Sequence, residues 1–186
     1  MILTKQYARG LLVLAVAALS LLNIAPAFAV DKAVLSKDSE AALQSLYGKE
    51  ALAKAIRDKA AGVLIFPKIT KAGFIVGGSS GDGVLYKNGE AIGYYKTASV
   101  SVGFQAGGQS FGYAVFFMTD AALEKFHKSS GGWDIGAEAN VVVAKSGASA
   151  EATAETAKSE IVAFVFDQKG VMGGVSLGGQ KVTKIE

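Results

Sequence analysis

Gly83-Val84-Leu85-Tyr86-Lys87-Asn88-Gly89-Glu90-Ala91-Ile92-Gly93-Tyr94-Tyr95 is the stretch that sets the fold class. Val84-Leu85-Tyr86 and Ile92-Gly93-Tyr94-Tyr95 carry the aromatic and branched residues that strands favour. Asn88-Gly89 between them supplies the two positive φ angles that a type I′ turn requires. The stretch therefore predicts an antiparallel hairpin. On its N-terminal side the period-two pattern continues through runs at Gly62–Phe66 and Gly73–Gly78. On its C-terminal side lies Ser99–Gln105, apolar on one face only, and then Phe111–Met118, apolar on both parities. That last run predicts a central strand covered on both sides.

Helical signals are confined to the start and to one insertion. In Asp31–Ala60, Leu43, Leu46 and Tyr47 fall at i, i+3, i+4, and Leu52 and Ile56 lie four apart. Gly48 divides the segment into two expected short helices, the second spanning Glu50–Ala60. Thr119 or Asp120 caps a short helix over Ala121–Lys128, with Leu123 and Phe126 inward. Ile135, Ala137, Ala139, Val141 and Val143 alternate again. Lys145–Lys158 lacks large apolar side chains and reads as a surface loop or weak helix. Ile161–Phe166 and Val171–Leu177 read as a second hairpin turning at Asp167-Gln168-Lys169-Gly170. Strands joined by tight turns define an α+β fold, with N-terminal short helices packed on a curved, mainly antiparallel sheet. Its abundant strand glycines fit a sheet closing towards a sandwich or barrel.

The chain of 186 residues begins with Lys5 and Arg9, an apolar run over Gly10–Leu22, and the small-x-small site Ala27-Phe28-Ala29. Residues 1–29 thus read as a cleaved signal peptide rather than a retained anchor, since Asn23 and Pro26 interrupt the run. Residues 30–186 remain as a single domain, expected in the periplasm or outside the cell. Of the 19 basic residues two leave with the signal, so the remaining 17 face 16 acidic ones, a charge of +1 that gives no electrostatic case for nucleic acid. There is no Cys, so no lipobox, disulfide or thiol nucleophile is available.

Catalytic chemistry finds little support. The lone His127 stands between lysines on a short helix and reads as a solvated side chain rather than a general base. Gly77–Gly83 lacks the Lys-Ser/Thr ending of a phosphate loop and reads as a strand-joining turn, and Asp82 alone makes no calcium loop. No cofactor or metal site is expected. Trp133 reads as packing at the start of a strand. The positive signal is a run of cations, Lys54, Arg57, Lys59, Lys68 and Lys71, five within 18 residues. Such a run suits lipid phosphates, with Leu52, Ile56 or Phe66 at the acyl boundary. The competing reading packs the apolar face of that helix on the sheet and leaves its charges merely solvated.

A series of ordered blocks resembles the SYLF domain: Gly62-Val63-Leu64-Ile65-Phe66-Pro67, Lys71-Ala72-Gly73-Phe74-Ile75-Val76-Gly77-Gly78, Gly81-x-Gly83-Val84-Leu85, Val102-Gly103-Phe104-Gln105-Ala106-Gly107-Gly108-Gln109 and Gly170-Val171-Met172-Gly173-Gly174-Val175-Ser176-Leu177. The resemblance spans about Ala33 to Lys184. It implies a lipid-binding module, not an enzyme. Eukaryotic relatives are associated with phosphoinositide membranes through a basic amphipathic region, fungal relatives also bind actin, and bacterial relatives are typically exported single-domain proteins. The positions matching that basic region are Lys54, Arg57, Lys59, Lys68 and Lys71, whereas Asp82 stands where many relatives carry a basic residue. The expected function is noncatalytic association with anionic phospholipid or another membrane lipid, at the bilayer surface or by enclosing one lipid. The alternative is an exported envelope module that contacts another protein. Actin is not an expected partner in that compartment.

Overall fold

The computed structural model describes residues 30–73, 76–102, 107–129, 132–134, 141–144, 159–170 and 180–185. The chain divides into two units, Met1–Val30 and Asp31–Glu186, and the second carries every element described below. In chain order these are α1 (Lys32–Lys49), α2 (Ala51–Ile56), a 3₁₀ turn (Arg57–Lys59), β1 (Gly62–Gly73), β2 (Val76–Lys87), β3 (Glu90–Val102), β4 (Gly107–Phe117), α3 (Asp120–Lys128), β5 (Trp133–Asp134), β6 (Val141–Ala144), β7 (Ile161–Gly170) and β8 (Lys181–Ile185). The strands form one sheet in the order β5-β8-β3-β2-β1-β4-β7-β6, curled into a half-barrel. Every neighbouring pair is antiparallel except β6 with β7.

The helices form where their signals lie. The Asp31 side chain caps α1 by accepting from the amides of Ala33 and Val34 at 3.0 and 3.2 Å. The break falls at Glu50, two residues beyond the expected Gly48, because Gly48 still lies within the last turn of α1. The second helix is also shorter than expected, ending at Ile56 before the 3₁₀ turn. Thr119 Oγ1 accepts from the Ala122 amide at 3.1 Å and starts α3, which buries Leu123 and Phe126 as its pattern requires.

The β2–β3 hairpin turns at Asn88-Gly89 with φ of 53° and 82°, as a type I′ turn demands. Residues 111–117 of β4 are buried on both faces, between β1 and β7. Two expected turns are instead strand. Gly77–Gly83 lies inside β2, paired along its length with β3. Asp167–Gly170 continues β7, with Lys169 opposite Ser110 and Gly170 opposite Gln109. The expected strand over 135–140, the loop at 145–158 and the strand Val171–Leu177 lie outside the described residues.

Gly81 and Gly83 of Gly77–Gly83 are required by β1. Between the pairs Phe66–Tyr113 and Ile69–Phe111, two residues of β1 face one of β4, so Pro67-Lys68 forms a bulge in a strand hydrogen-bonded on both sides. Proline has no N–H to donate and is tolerated in a sheet interior at such a bulge. The displaced backbone presses on β2. A Cβ at Gly83 would lie 2.5 Å from the Phe66 ring and one at Gly81 would lie 2.7 Å from the Lys68 carbonyl. These glycines are therefore contact points rather than turn residues. In β7 the extra residue sits at Asp167, whose φ of 52° marks a bulge.

Alternation sends two sets of side chains to opposite faces. One face holds Leu64, Phe66, Leu85, Tyr95, Tyr113, Val115, Phe117 and Ala163 with α3 and Trp133. Rings of Phe117, Phe126 and Trp133 meet there with centroids 5.0–5.9 Å apart. The other face holds buried Val63, Ile65, Val84, Phe116 and Phe164 beneath α1 and α2. Helix α1 crosses that face from Ser36, whose hydroxyl lies 3.1 Å from Tyr94 Oη on β3, past Tyr47 edge-on to Phe116 on β4, to Lys49, which bonds Asp167 on β7.

Gly83→Ala should lower the unfolding free energy by about 2–3 kcal/mol, because Phe66 and the Ile65 carbonyl flank the site and cannot both retreat. Gly48→Ala, with nothing within 4 Å of the added methyl, should raise it by about 0.5–1 kcal/mol. Urea titrations of the two variants check this contrast, and a Gly83→Ala midpoint equal to wild type would refute the packing argument.

Candidate functional site

A groove of about 740 Å³ lies where α1, the 3₁₀ turn and the β2–β3 hairpin meet. Helix α1 supplies one wall through Lys37, Glu40, Gln44 and Tyr47, at spacings of three, four and three that place them on one face. Arg57 and Asp58 of the 3₁₀ turn form the facing rim, Val63 and Tyr86 contribute the floor, and Asn88-Gly89 closes one end. Its volume lies in the range of small-molecule and cofactor sites.

Two aromatic rings give the groove its chemistry. The Arg57 guanidinium sits 5.7 Å from the centre of the Tyr47 ring, within cation–π range, while its Nε lies 3.2 Å from Asp58 Oδ1. Burial pushes the Tyr47 phenol above its ordinary pKa; Arg57 opposes that shift and Asp58 adds to it. Burial also raises Tyr86, with the Glu40 carboxylate adding to the effect and the hydrogen bond to Ser36 opposing it. Tyr86 Oη donates to the Ser36 carbonyl at 3.1 Å. Both phenols are therefore neutral in the physiological range, and the formal charge of the groove comes from its rim.

The cations singled out in the sequence separate in space. Lys54, Arg57 and Lys59 are exposed on α2 and the 3₁₀ turn, and Arg57 alone of them lines the groove. Lys68 and Lys71 lie on the far half of β1, roughly 20 and 30 Å along the strand from Gly62 at 3.3 Å per residue. Lys68 is exposed and lines a second, smaller pocket of about 250 Å³ with Lys169, Ser110 and Asp167. Lys71 is half-buried in a cross-strand row with Gln109, Ser79 and Ser99, where the two serine hydroxyls are 2.7 Å apart.

The three apolar candidates are interior. Leu52 and Ile56 are each 7% exposed beneath the sheet, and Phe66 is fully buried against Tyr113, with ring centroids 6.5 Å apart. Their packing in the core leaves them no surface to offer an acyl boundary. His127 is exposed, with Nδ1 3.3 Å from Tyr95 Oη, and Trp133 is 4% exposed in the aromatic cluster. Among the described residues no three His, Asp or Glu side chains gather as a metal site, and no helix is long and apolar enough to cross a membrane.

Residues 98–185 match the family model described as "Ysc84: Las17-binding protein actin regulator". Over that stretch the chain is similar to the SYLF domain family. The matched stretch runs from within β3 to β8, so the groove residues Lys37 to Gly89 precede it. No curated protein matches the chain.

Sequence reading found Arg57 but missed Lys37, Glu40, Tyr47 and Tyr86 as groove residues. Tyr47 carried a helical-face signal that described it as core. Its meeting with Arg57, ten residues later, requires the reversal at Glu50, which no local pattern announces.

The Tyr47 titration reports on this geometry. Arg57→Gln should raise its midpoint further and Asp58→Asn should lower it, because the two charges act on the phenolate with opposite sign. An NMR titration of the Tyr47 ring resonances between pH 8 and 12 measures both, and shifts of the same sign in the two variants would contradict the arrangement.

Proposed function

We propose that this protein is a noncatalytic component of the cell envelope, exported by residues 1–29, that associates with phospholipid membranes. The reading rests on one observation above all: Arg57 stands at the rim of a large groove floored by neutral aromatic and apolar side chains, beside exposed Lys54 and Lys59. A guanidinium stacked on Tyr47 keeps its planar fork of N–H donors for a phosphate, and the neighbouring lysines extend the positive field towards an anionic surface. Lys68 and Lys169 present a second cationic spot, about a strand's length away, for the same surface.

In this reading the domain docks as a folded unit. Leu52, Ile56 and Phe66 serve the core, so membrane association draws on headgroup contacts and electrostatics rather than on insertion of the helix. Docking of this kind weakens as salt screens the charges, with a Debye length of about 8 Å at physiological ionic strength.

Residues 30–186 should float with phosphatidylcholine vesicles containing phosphatidylglycerol at low salt and be released at 0.5–1 M salt, on the order of the screening range. The double variant Lys54→Glu/Arg57→Glu should lose at least about tenfold in partitioning, since each cation near an anionic surface adds about 1 kcal/mol. Flotation unaffected by both salt and charge reversal would remove the basic turn from the reading.

Export is tested separately. The protein recovered from a periplasmic or culture fraction should begin at Val30 by intact-mass measurement, and a chain retaining Met1–Ala29 would refute cleavage there.

A second reading, an envelope module that contacts another protein, draws on Val76 and Val100, which are 62% and 80% exposed on β2 and β3. Loss of flotation in every lipid mixture would favour it.

A further inference from the structure

The groove rim carries both signs of charge. Lys37 and Arg57 face a pocket that Glu40 and Asp58 also line, two cations and two carboxylates, so the rim has no net formal charge. A ligand that is simply anionic satisfies Arg57 and leaves the carboxylates repelling it. A zwitterion matches both halves.

The two carboxylates are not equivalent. Asp58 is held by Arg57, its chain neighbour, at 3.2 Å. Glu40 has no ion-pair partner among the described residues, yet its carboxylate acts electrostatically on the Tyr86 phenol. The Tyr86 hydroxyl donates its proton to the Ser36 carbonyl, so its oxygen is left to accept a hydrogen bond. Glu40 and Tyr86 thus form a neighbourhood of acceptors, and Arg57 against Tyr47 forms one of donors. Tyr47 lies seven positions after Glu40 on α1, about 10 Å along its axis at 1.5 Å per residue. Leu43 and Val63 line the groove between them with apolar surface.

The geometry points to a zwitterionic phospholipid with a primary amine, a phosphoethanolamine lipid, its phosphate at Arg57 and its ammonium at Glu40 and Tyr86. This rests on the lipid reading above and adds the headgroup class to it. A primary ammonium brings three N–H donors to a carboxylate and a phenol oxygen; a choline headgroup has no such donors, and a glycerol headgroup offers only uncharged O–H donors. The apolar floor takes the glycerol backbone and the first carbons of the acyl chains, so the lipid and not its free headgroup is the ligand. Docking and selection are then separate steps: exposed Lys54 and Lys59 bring the domain to an anionic surface, and the groove recognises one lipid within it.

The test uses residues 30–186 titrated by calorimetry with dihexanoyl phosphatidylethanolamine, phosphatidylglycerol and phosphatidylcholine below their micellar concentrations, and with water-soluble glycerophosphoethanolamine. The ethanolamine lipid should bind at least about fivefold tighter than the other three ligands, the range expected when one charged contact is gained. Glu40→Gln should abolish that preference while leaving affinity for the glycerol lipid unchanged or improved, and Arg57→Gln should weaken every phospholipid. Both positions are exposed, so the variants should fold, as circular dichroism will verify. Equal affinity for ethanolamine and glycerol lipids, or a preference that survives Glu40→Gln, overturns the assignment while leaving the lipid reading standing. Equal affinity for phosphatidylcholine overturns the primary amine, and equal affinity for glycerophosphoethanolamine overturns the lipid in favour of a soluble zwitterion. No binding of any lipid, combined with no flotation, removes the lipid reading itself.

Discussion

A proline in a strand paired on both sides is the constraint around which the sheet is arranged. Pro67 cannot donate to the ladder, so β1 must bulge where it lies, and the bulge must go somewhere. It moves towards β2, where Gly81 and Gly83 leave room that any side chain would fill. A bulge also strengthens the local twist, which supports curling into a half-barrel over a flat sheet. The same device recurs in β7 at Asp167, next to the far half of β4. A third extra residue, Ile92, lies in β3 opposite Leu85-Tyr86, so the sheet carries one such irregularity in each of β1, β3 and β7.

Helix α1 is held across one face of the curled sheet by contacts of unequal worth. The Lys49–Asp167 pair is partly exposed, and pairs of this kind add less than about 1 kcal/mol. The hydrogen bonds of Lys49 and Ser45 hold the Asp167 carboxyl below its ordinary pKa, so this small contribution is present above about pH 4, the unfolded value, and fades as pH falls through the folded one. Burial of Leu35, Leu43 and Leu46 is the larger effect, about 1.5–3 kcal/mol for each fully buried side chain. The polar contacts therefore fix where the helix lies, and the leucines fix that it lies there at all. Because the apolar stripe faces the sheet, the flanking stripe Lys37, Glu40, Gln44 and Tyr47 is left as the wall of a groove.

What was legible in the sequence follows from how local each signal is. Asn88-Gly89, the doubly apolar run of β4 and the Thr119 cap are each decided by residues within a few positions, and each forms as read. Glycine is ambiguous because it marks both turns and close approaches. Gly77–Gly83 looked like a turn, but the atoms that require its glycines belong to Phe66 and Lys68, more than ten residues earlier. Asp167–Gly170 misled in the same way, since a residue at positive φ serves a bulge as well as a turn. For the site, spacing along the chain overstated proximity. Lys54 and Lys68 are fourteen residues apart, yet an extended strand carries the second far from the first, whereas Tyr47 and Arg57 are brought together by a helix reversal.

On the proposed lipid reading, that separation bears on how one domain would meet a membrane and still discriminate within it. Charges that stand free in solvent act at long range, are screened by salt and respond to net surface charge alone. Charges set on a neutral aromatic floor act at contact, and their relative positions matter more than their sum. Lys54 and Lys59 belong to the first class and Arg57, stacked on Tyr47, belongs to both. Because Arg57 is exposed yet held to the ring beside Asp58, it acts on local geometry as well as on the wider field. In the proposed reading, a rim of balanced charge beside an unbalanced basic surface would keep attraction and selection independent. Changing the lysines should alter how much protein reaches a membrane, and changing Glu40 should alter only what it holds there.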